Sequence, residues 1–183
     1  VKNYLPELQE ASRVSGFPVS LIAATIQQES GWNPKIVSPS GAQGVGQFMP
    51  GTWPSYGQGD PFNPHDAIPA MGRYIKDIRR IMRENNVPGD EIDIVLRSYN
   101  AGPYSVIARS GGAASSNGHS GDENADYAPM IRGYWPQYQQ IVKDLGVEEN
   151  STVGEADTSI RESHQQDSEK KSSDQKQDQQ AQG

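Results

Sequence analysis

The sequence of 183 residues contains no cysteine and only three histidines, His65, His119 and His164, far apart along the chain. The first absence excludes a disulfide framework, a Cys-ligated zinc and a thiol nucleophile. The second leaves nothing from which to build a histidine-rich metal site. Long hydrophobic runs are missing too: the longest apolar stretch, around Leu21–Ile26, falls far short of the ~20 residues that span a bilayer. Positive charge is in deficit, with 16 Lys and Arg against 23 Asp and Glu and a formal net charge of −7. Residues 147–183 carry most of that excess, with nine acids against four bases, so residues 1–146 stand near −2. A body so close to neutral favours neither nucleic acid nor an anionic membrane as its partner. Val1 rather than Met opens the chain, as a processed or excised piece would, and the first ten residues read as an amphipathic helix, not a secretory signal.

Residues 147–183 also lack aromatics, and their few apolar side chains are scattered among Gln, Asp, Ser, Lys and Glu. Such a segment buries too little surface to offset its ordering entropy, so a disordered polar tail or linker is expected there, after a single domain at 1–146. Arg109–Asp126, made largely of Gly, Ser, Asn and Asp, reads as a mobile loop within that domain.

What is present is helical periodicity. Leu5, Leu8 and Ala11 mark a first helix, and Ser20–Ser30 a second that stops at Gly31 and Pro34. Ile68, Met71, Gly72, Ile75, Ile78 and Met82 draw one apolar stripe along a long third helix, with Asp66 as expected N-cap. Asp90 or Asp93 caps a fourth that carries Val95, Leu96 and Tyr99 and closes at Gly102–Pro103. The last runs from about Tyr127 to Leu145. Gly31–Pro64 is irregular, with room for a short hairpin. The expected fold class is mainly α.

The most informative acid is Glu29. Ile22, Ile26 and Glu29 stand at i, i+4 and i+7, which sets a carboxylate on an apolar stripe. Desolvation there favours the neutral form, and the negative end of the helix dipole adds to it, as a general acid near neutral pH requires. A helix-end Glu turned to solvent is the competing reading. After it, residues 30–59 contain no Asp or Glu but hold Trp32, Gln43, Gln47, Phe48, Met49, Trp53 and Tyr56 among glycines. Aromatic faces and amides without a countercharge suit a sugar, although a glycine-rich loop tucking aromatics into the core has the same composition. Arg73, Lys76, Arg80 and Arg83 form a basic stripe that reads as a solvated helix face. His65, Asp60 and Asn63 read as turn and capping residues, Trp135 and Tyr138 as core.

Four pieces occur in order: E-S-G-W-N-P at Glu29–Pro34, S-P-S-G-A-Q-G-V-G-Q-F-M-P-G-T-W at Ser38–Trp53, D-P-F-N-P-H-D-A-I at Asp60–Ile68, and S-Y-N-A-G-P at Ser98–Pro103. Together they resemble the soluble lytic transglycosylase family, lysozyme-like enzymes that cleave the glycan strands of bacterial peptidoglycan. The resemblance runs from about Leu5 to Leu145. It implies a lysozyme-like helical domain with a substrate cleft, Glu29 as the single acid then base, and no metal or cofactor. It also implies Ser38, Gln47, Met49, Tyr99 and Asn100 around the sugar, with the Tyr99 hydroxyl close to the acid. The sequence departs from the family at Val45–Gly46, where Leu-Met is common, and the smaller residues are expected to open room in the cleft.

The partner implied is peptidoglycan, met outside the cytoplasm. A phage virion, a secretion apparatus and a free periplasmic enzyme all remain open as settings. A goose-type lysozyme-like hydrolase, using an additional carboxylate to activate water, is the rival reaction. A non-catalytic wall-binding or virion module is the rival class.

Overall fold

The computed structural model describes residues 1–111 and 125–153. Most of the 109–126 loop and the segment 154–183 lie outside the described residues. Among the described residues seven helices come after a short 3-10 turn: α1 (Leu5–Ser15), α2 (Val19–Ser30), α3 (Trp53–Tyr56), α4 (Pro64–Glu84), α5 (Glu91–Ala101), α6 (Pro103–Gly111) and α7 (Tyr127–Asp144). Between α2 and α3 the chain makes only isolated bridges, Val37 with Gln43 and Gln43 with Phe48, so the expected hairpin is reduced to single pairings.

Two helices are hidden in the sequence. α3 is one turn long, too short for a periodic stripe. α6 begins at Pro103, because the Gly102–Pro103 pair that ends α5 also opens the next helix with proline at its first position. The N-cap of α4 is Asn63, whose side chain accepts from the His65 amide, and not the expected Asp66. Asp66 instead accepts from the Asp60 amide at 3.0 Å, while Asp60 accepts from the Phe62 amide at 2.8 Å. The D-P-F-N-P-H-D segment is thus a self-bonded turn.

Packing obeys the stripes. α1 lies along α4 and α2 along α7, with Leu8, Leu21, Ile22, Ile26, Ile68, Met71, Ile75 and Ile78 fully or almost fully buried between them. Burying Ile22 and Ile26 contributes roughly 1.5–3 kcal/mol each. That outweighs the ~1 kcal/mol lost where Pro18 offers α2 no side-chain cap. The cap arrives from elsewhere: Glu149 Oε1 accepts from the Ser20 amide at 2.5 Å.

That contact lies past the expected boundary at 146. Residues 147–153, expected to belong to a disordered tail, form a strap across the start of α2. Val147 and Val153 pack against the core, and the Thr152 amide donates to the Gly16 carbonyl at 2.9 Å. The guanidinium of Arg79, only 7% exposed, donates to Thr152 Oγ1 at 2.7 Å, to the Thr152 carbonyl at 3.0 Å and to the Ser15 carbonyl at 2.7 Å. Composition hides this because the strap is held by backbone, one hydroxyl and one carboxylate, with only two apolar side chains.

Candidate active site

All six residues expected at the site, Glu29, Ser38, Gln47, Met49, Tyr99 and Asn100, line a single cavity of about 350 Å³. The end of α2 supplies Glu29, the irregular 38–52 segment one wall, Tyr74 of α4 the floor side, and the end of α5 the Tyr99–Gly102 wall. Among the described lining residues Glu29 is the only carboxylate. Asp60 and Asp66, the next acids after Glu29 in the sequence, are engaged in the turn before α4 and do not line it.

Glu29 is placed by the end of its helix. Gly31 takes a left-handed conformation (φ 56°) and donates its amide to the Gln27 carbonyl, which stops α2 two residues beyond the acid. Next to it, the Ser30 hydroxyl bridges the Ile26 carbonyl and the Val45 carbonyl, each at 3.0 Å, tying the helix end to the cleft wall. Burial raises the Glu29 carboxyl from its ordinary value to about 7, and a hydrogen bond from the Tyr127 hydroxyl to Oε1 opposes that rise. Desolvation wins, so near neutral pH the group is poised between its acid and base forms.

Tyr127 is the functional residue that sequence reasoning missed, because in the sequence it marks only the start of the last helix. It is 8% exposed and sits 98 positions from the acid it contacts. A signal existed: Tyr127 stands four residues before Ile131 on the buried stripe of α7, and a buried phenol needs a partner for its hydroxyl. The resemblance implies the Tyr99 hydroxyl close to the acid, yet that hydroxyl donates to the Gly46 carbonyl at 2.6 Å. The nearby Glu29 and burial together hold the Tyr99 phenol neutral, with burial the larger cause. Tyr99 therefore fixes the Gly46 backbone, and Tyr127 is the tyrosine bonded to Glu29.

The wall segment is shaped by backbone. A Cβ on Gly46 would stand 2.8 Å from the Phe48 ring and 3.0 Å from Met71, so the absent side chain points to the core. Its absence lets the chain close on Phe48 and does not open the cleft as expected. Gly44 (φ 73°) is held against the Pro61 carbonyl, where a Cβ would come within 2.1 Å. Gln47 adopts a left-handed φ of 52°, uncommon for a residue with a side chain, and its amide nitrogen donates to the Gly44 carbonyl at 2.8 Å. Ser38 Oγ accepts from the Ala42 amide and pairs with Ser40 Oγ, both at 3.0 Å. Met49 is 41% exposed on the rim.

The remaining candidates are structural. Trp32 donates to the Tyr138 hydroxyl at 2.8 Å and stacks on Tyr4, while Trp53 packs edge-on against Phe48. Trp135 donates to Ser20 Oγ, and Tyr138 to Gln27 Oε1. His65 pairs with Glu7 at 2.6 Å. In the basic stripe Arg80 pairs with Asp77 and Glu84, Arg83 with Glu91, and Arg73 donates to the Tyr56 carbonyl.

Glu29 is thus a carboxyl of raised pKa and, among the described residues, the only charged side chain lining a polar cleft of a helical domain. Solved structures share the fold. The 70 kDa soluble lytic transglycosylase of Escherichia coli superposes with a TM-score of 0.56 at 24% identity, over 76% of this chain and 24% of that one. The lytic transglycosylase Slt of Pseudomonas aeruginosa, as an inactive mutant, does so at 0.58 and 21%, with the same coverage. The family model described as "Transglycosylase SLT domain" matches residues 7–119, more than half of the sequence, and the chain belongs to that family. Among relatives, the membrane-bound lytic murein transglycosylase F 2 of Alkalilimnicola ehrlichii is 31% identical over 54% of this chain. The membrane-bound lytic murein transglycosylase F of Salmonella arizonae is 34% identical over 56%. The matched part is 22% and 20% of those proteins, so the chain spans about a fifth of the curated relatives it matches. Among the described residues no helix is long and apolar enough to cross a membrane.

Proposed function

We propose that the chain is a peptidoglycan lytic transglycosylase, cleaving the β-1,4 bond from N-acetylmuramic acid to N-acetylglucosamine. The observation that carries this reading is Glu29, raised to about 7 and the only carboxylate among the described residues of its cavity. A two-carboxylate glycosidase needs a second acid as nucleophile or water-activating base. With one, the same group serves twice. Protonated Glu29 gives its proton to the glycosidic oxygen as the C1–O bond breaks, and the muramoyl acetamido oxygen shares the positive charge left on C1. The Glu29 carboxylate then takes the proton of the C6 hydroxyl while that oxygen bonds to C1, closing a 1,6-anhydro ring. The proton count returns to its start, and no water, metal or cofactor enters. Ser38, Gln47, Met49 and Asn100 are the residues proposed to bind the sugars, with Tyr99 holding the wall through Gly46.

The family names support murein, outside the cytoplasm, as the place of action. Carriage by a phage virion or a secretion apparatus rests on the polar composition of 147–183 alone. The test is digestion of purified peptidoglycan by the wild type and by Glu29→Gln, with the ends read by mass spectrometry. Anhydromuramoyl ends are expected from the wild type, and the variant should be slower by about 10²- to 10⁴-fold or more. Reducing ends would mean a hydrolase of the goose-type kind, and products from neither protein a binding module.

A further inference from the structure

One aromatic side chain beside the cleft has no task in this chemistry. Tyr104 comes directly after the Asn100–Gly102 wall, at the start of α6, and is 73% exposed, the most exposed of the large hydrophobic side chains among the described residues. A single exposed ring is ordinary on a protein surface. Its neighbours make this one different. Rings cluster at the cavity whose wall it adjoins: Tyr99 stands 5.2 Å from Tyr74, and Tyr74 stands 4.7 Å from Tyr56. Tyr74 lines the cavity with Glu29, and Tyr56 is half-buried with its hydroxyl donating to Asp77 Oδ2 at 2.5 Å. α6 packs on α4, which carries Tyr74 and Asp77. The cavity wall thus leads, two residues past Gly102, to an open ring face on α6.

A pyranose has an apolar C–H face and a rim of hydroxyls, and this surface offers both complements: a flat ring to lie on and oxygens to bond. We infer that Tyr104 forms an additional sugar-binding position for the glycan strand beyond the Glu29 cavity, on which an N-acetylhexosamine ring stacks. This rests on the proposed function for the identity of the ligand, and continuity with the cavity is what favours a glycan over a protein partner. Its consequence is a preference for strands long enough to reach Tyr104 from Glu29.

The test separates binding from turnover. The full 183-residue protein carrying Glu29→Gln is titrated calorimetrically with chitohexaose, six β-1,4-linked N-acetylglucosamines. Adding Tyr104→Ala should weaken binding ~5- to 10-fold, whereas Tyr104→Phe, which keeps the ring, should stay within ~2-fold. Melting temperatures of the three proteins should agree, since Tyr104 is exposed. Equal affinity with alanine, or no measurable binding by the parent, would overturn the inference. A loss with phenylalanine as large as with alanine would also overturn it, by showing that the hydroxyl and not the ring face is used. Failure of the wild type to form anhydro ends would overturn the reaction instead, and leave this binding result readable.

Discussion

Arg79 and Glu29 are both ionisable residues drawn into the helical body, and they keep different company. Arg79 engages its whole guanidinium: Glu91 at 2.7 Å, two backbone carbonyls and the Thr152 hydroxyl. Among the described residues Glu29 has one hydrogen bond, from Tyr127, in a cavity whose other lining side chains are uncharged. A charge that is fully paired stays charged and holds pieces of chain together. A charge left mostly unpaired gives up its ionised form near neutrality and gains the capacity to donate a proton. Burial alone does not separate the two; the number of partners does.

The sharpest way to break this contrast is to neutralise each residue and compare stabilities at pH 8. Arg79→Ala removes the arginine 2.7 Å from Glu91 and frees the strap, at a cost of about 3–5 kcal/mol. Glu29→Gln should move the other way. Unfolded, the Glu29 carboxyl releases its proton near its ordinary value; folded, it holds it to about 7. Between these values the folded state binds more protons, so wild-type stability falls as pH rises through the window and the whole cost is present above it. Removing the charge should recover at most about 3 kcal/mol at pH 8 and nothing at pH 4. Chemical denaturation at the two pH values checks both signs, and a Glu29→Gln protein less stable than wild type at pH 8 would contradict the assignment of Glu29 as the strained charge.

A smaller effect separates the strap from the residues beyond it. Ending the chain after Gly146 removes the Glu149 cap on α2, the Thr152 contacts and two partly buried valines, and should lower stability by about 2–3 kcal/mol. Ending it after Val153 should change stability by less than about 0.5 kcal/mol, since the polar composition past that point offers little apolar surface. Thermal melts of both truncations against the full chain measure the difference.

The same two residues explain how much is legible in the sequence. Glu29 stands out because it interrupts an apolar stripe in α2, and the ordered motifs from Glu29 to Pro103 bring five further expected cavity residues with it. Arg79 interrupts a stripe in the same way, four residues after Ile75 and three before Met82, yet reading the basic residues as a solvated face passes over it. Its partners lie at the end of α1, in the strap and in α5, and pairings between distant segments leave no periodic trace. α3 is too short for a period, and α6 is masked by a proline that serves as stop and start. Tyr99 and Tyr127 show the limit most clearly. Both are buried tyrosines near one glutamate, and only the packing of α7 against α2 decides which hydroxyl reaches it.

That choice can be tested by the smallest of the expected effects. The Tyr127 hydroxyl donates to the ionised form of Glu29 and so lowers its pKa against the larger upward push of burial. Tyr127→Phe removes the donor and keeps the ring, so the Glu29 pKa should rise above about 7, by up to roughly one unit for the loss of a single hydrogen bond to a charged group. If Glu29 acts first as an acid, the alkaline limb of the cleavage rate should move to higher pH by the same amount. The base half of the cycle sets the opposing trend, because a carboxylate that holds its proton more firmly is present less often at low pH, and the acid limb should move up with it. The whole profile therefore shifts without widening. Tyr99→Phe, which removes a bond to the Gly46 carbonyl, should instead lower the rate across all pH with little displacement of either limb. Rate–pH profiles of the two variants on purified peptidoglycan distinguish a tyrosine that tunes the acid from one that holds the wall, and a displaced profile for Tyr99→Phe with an unmoved one for Tyr127→Phe would reverse the assignment.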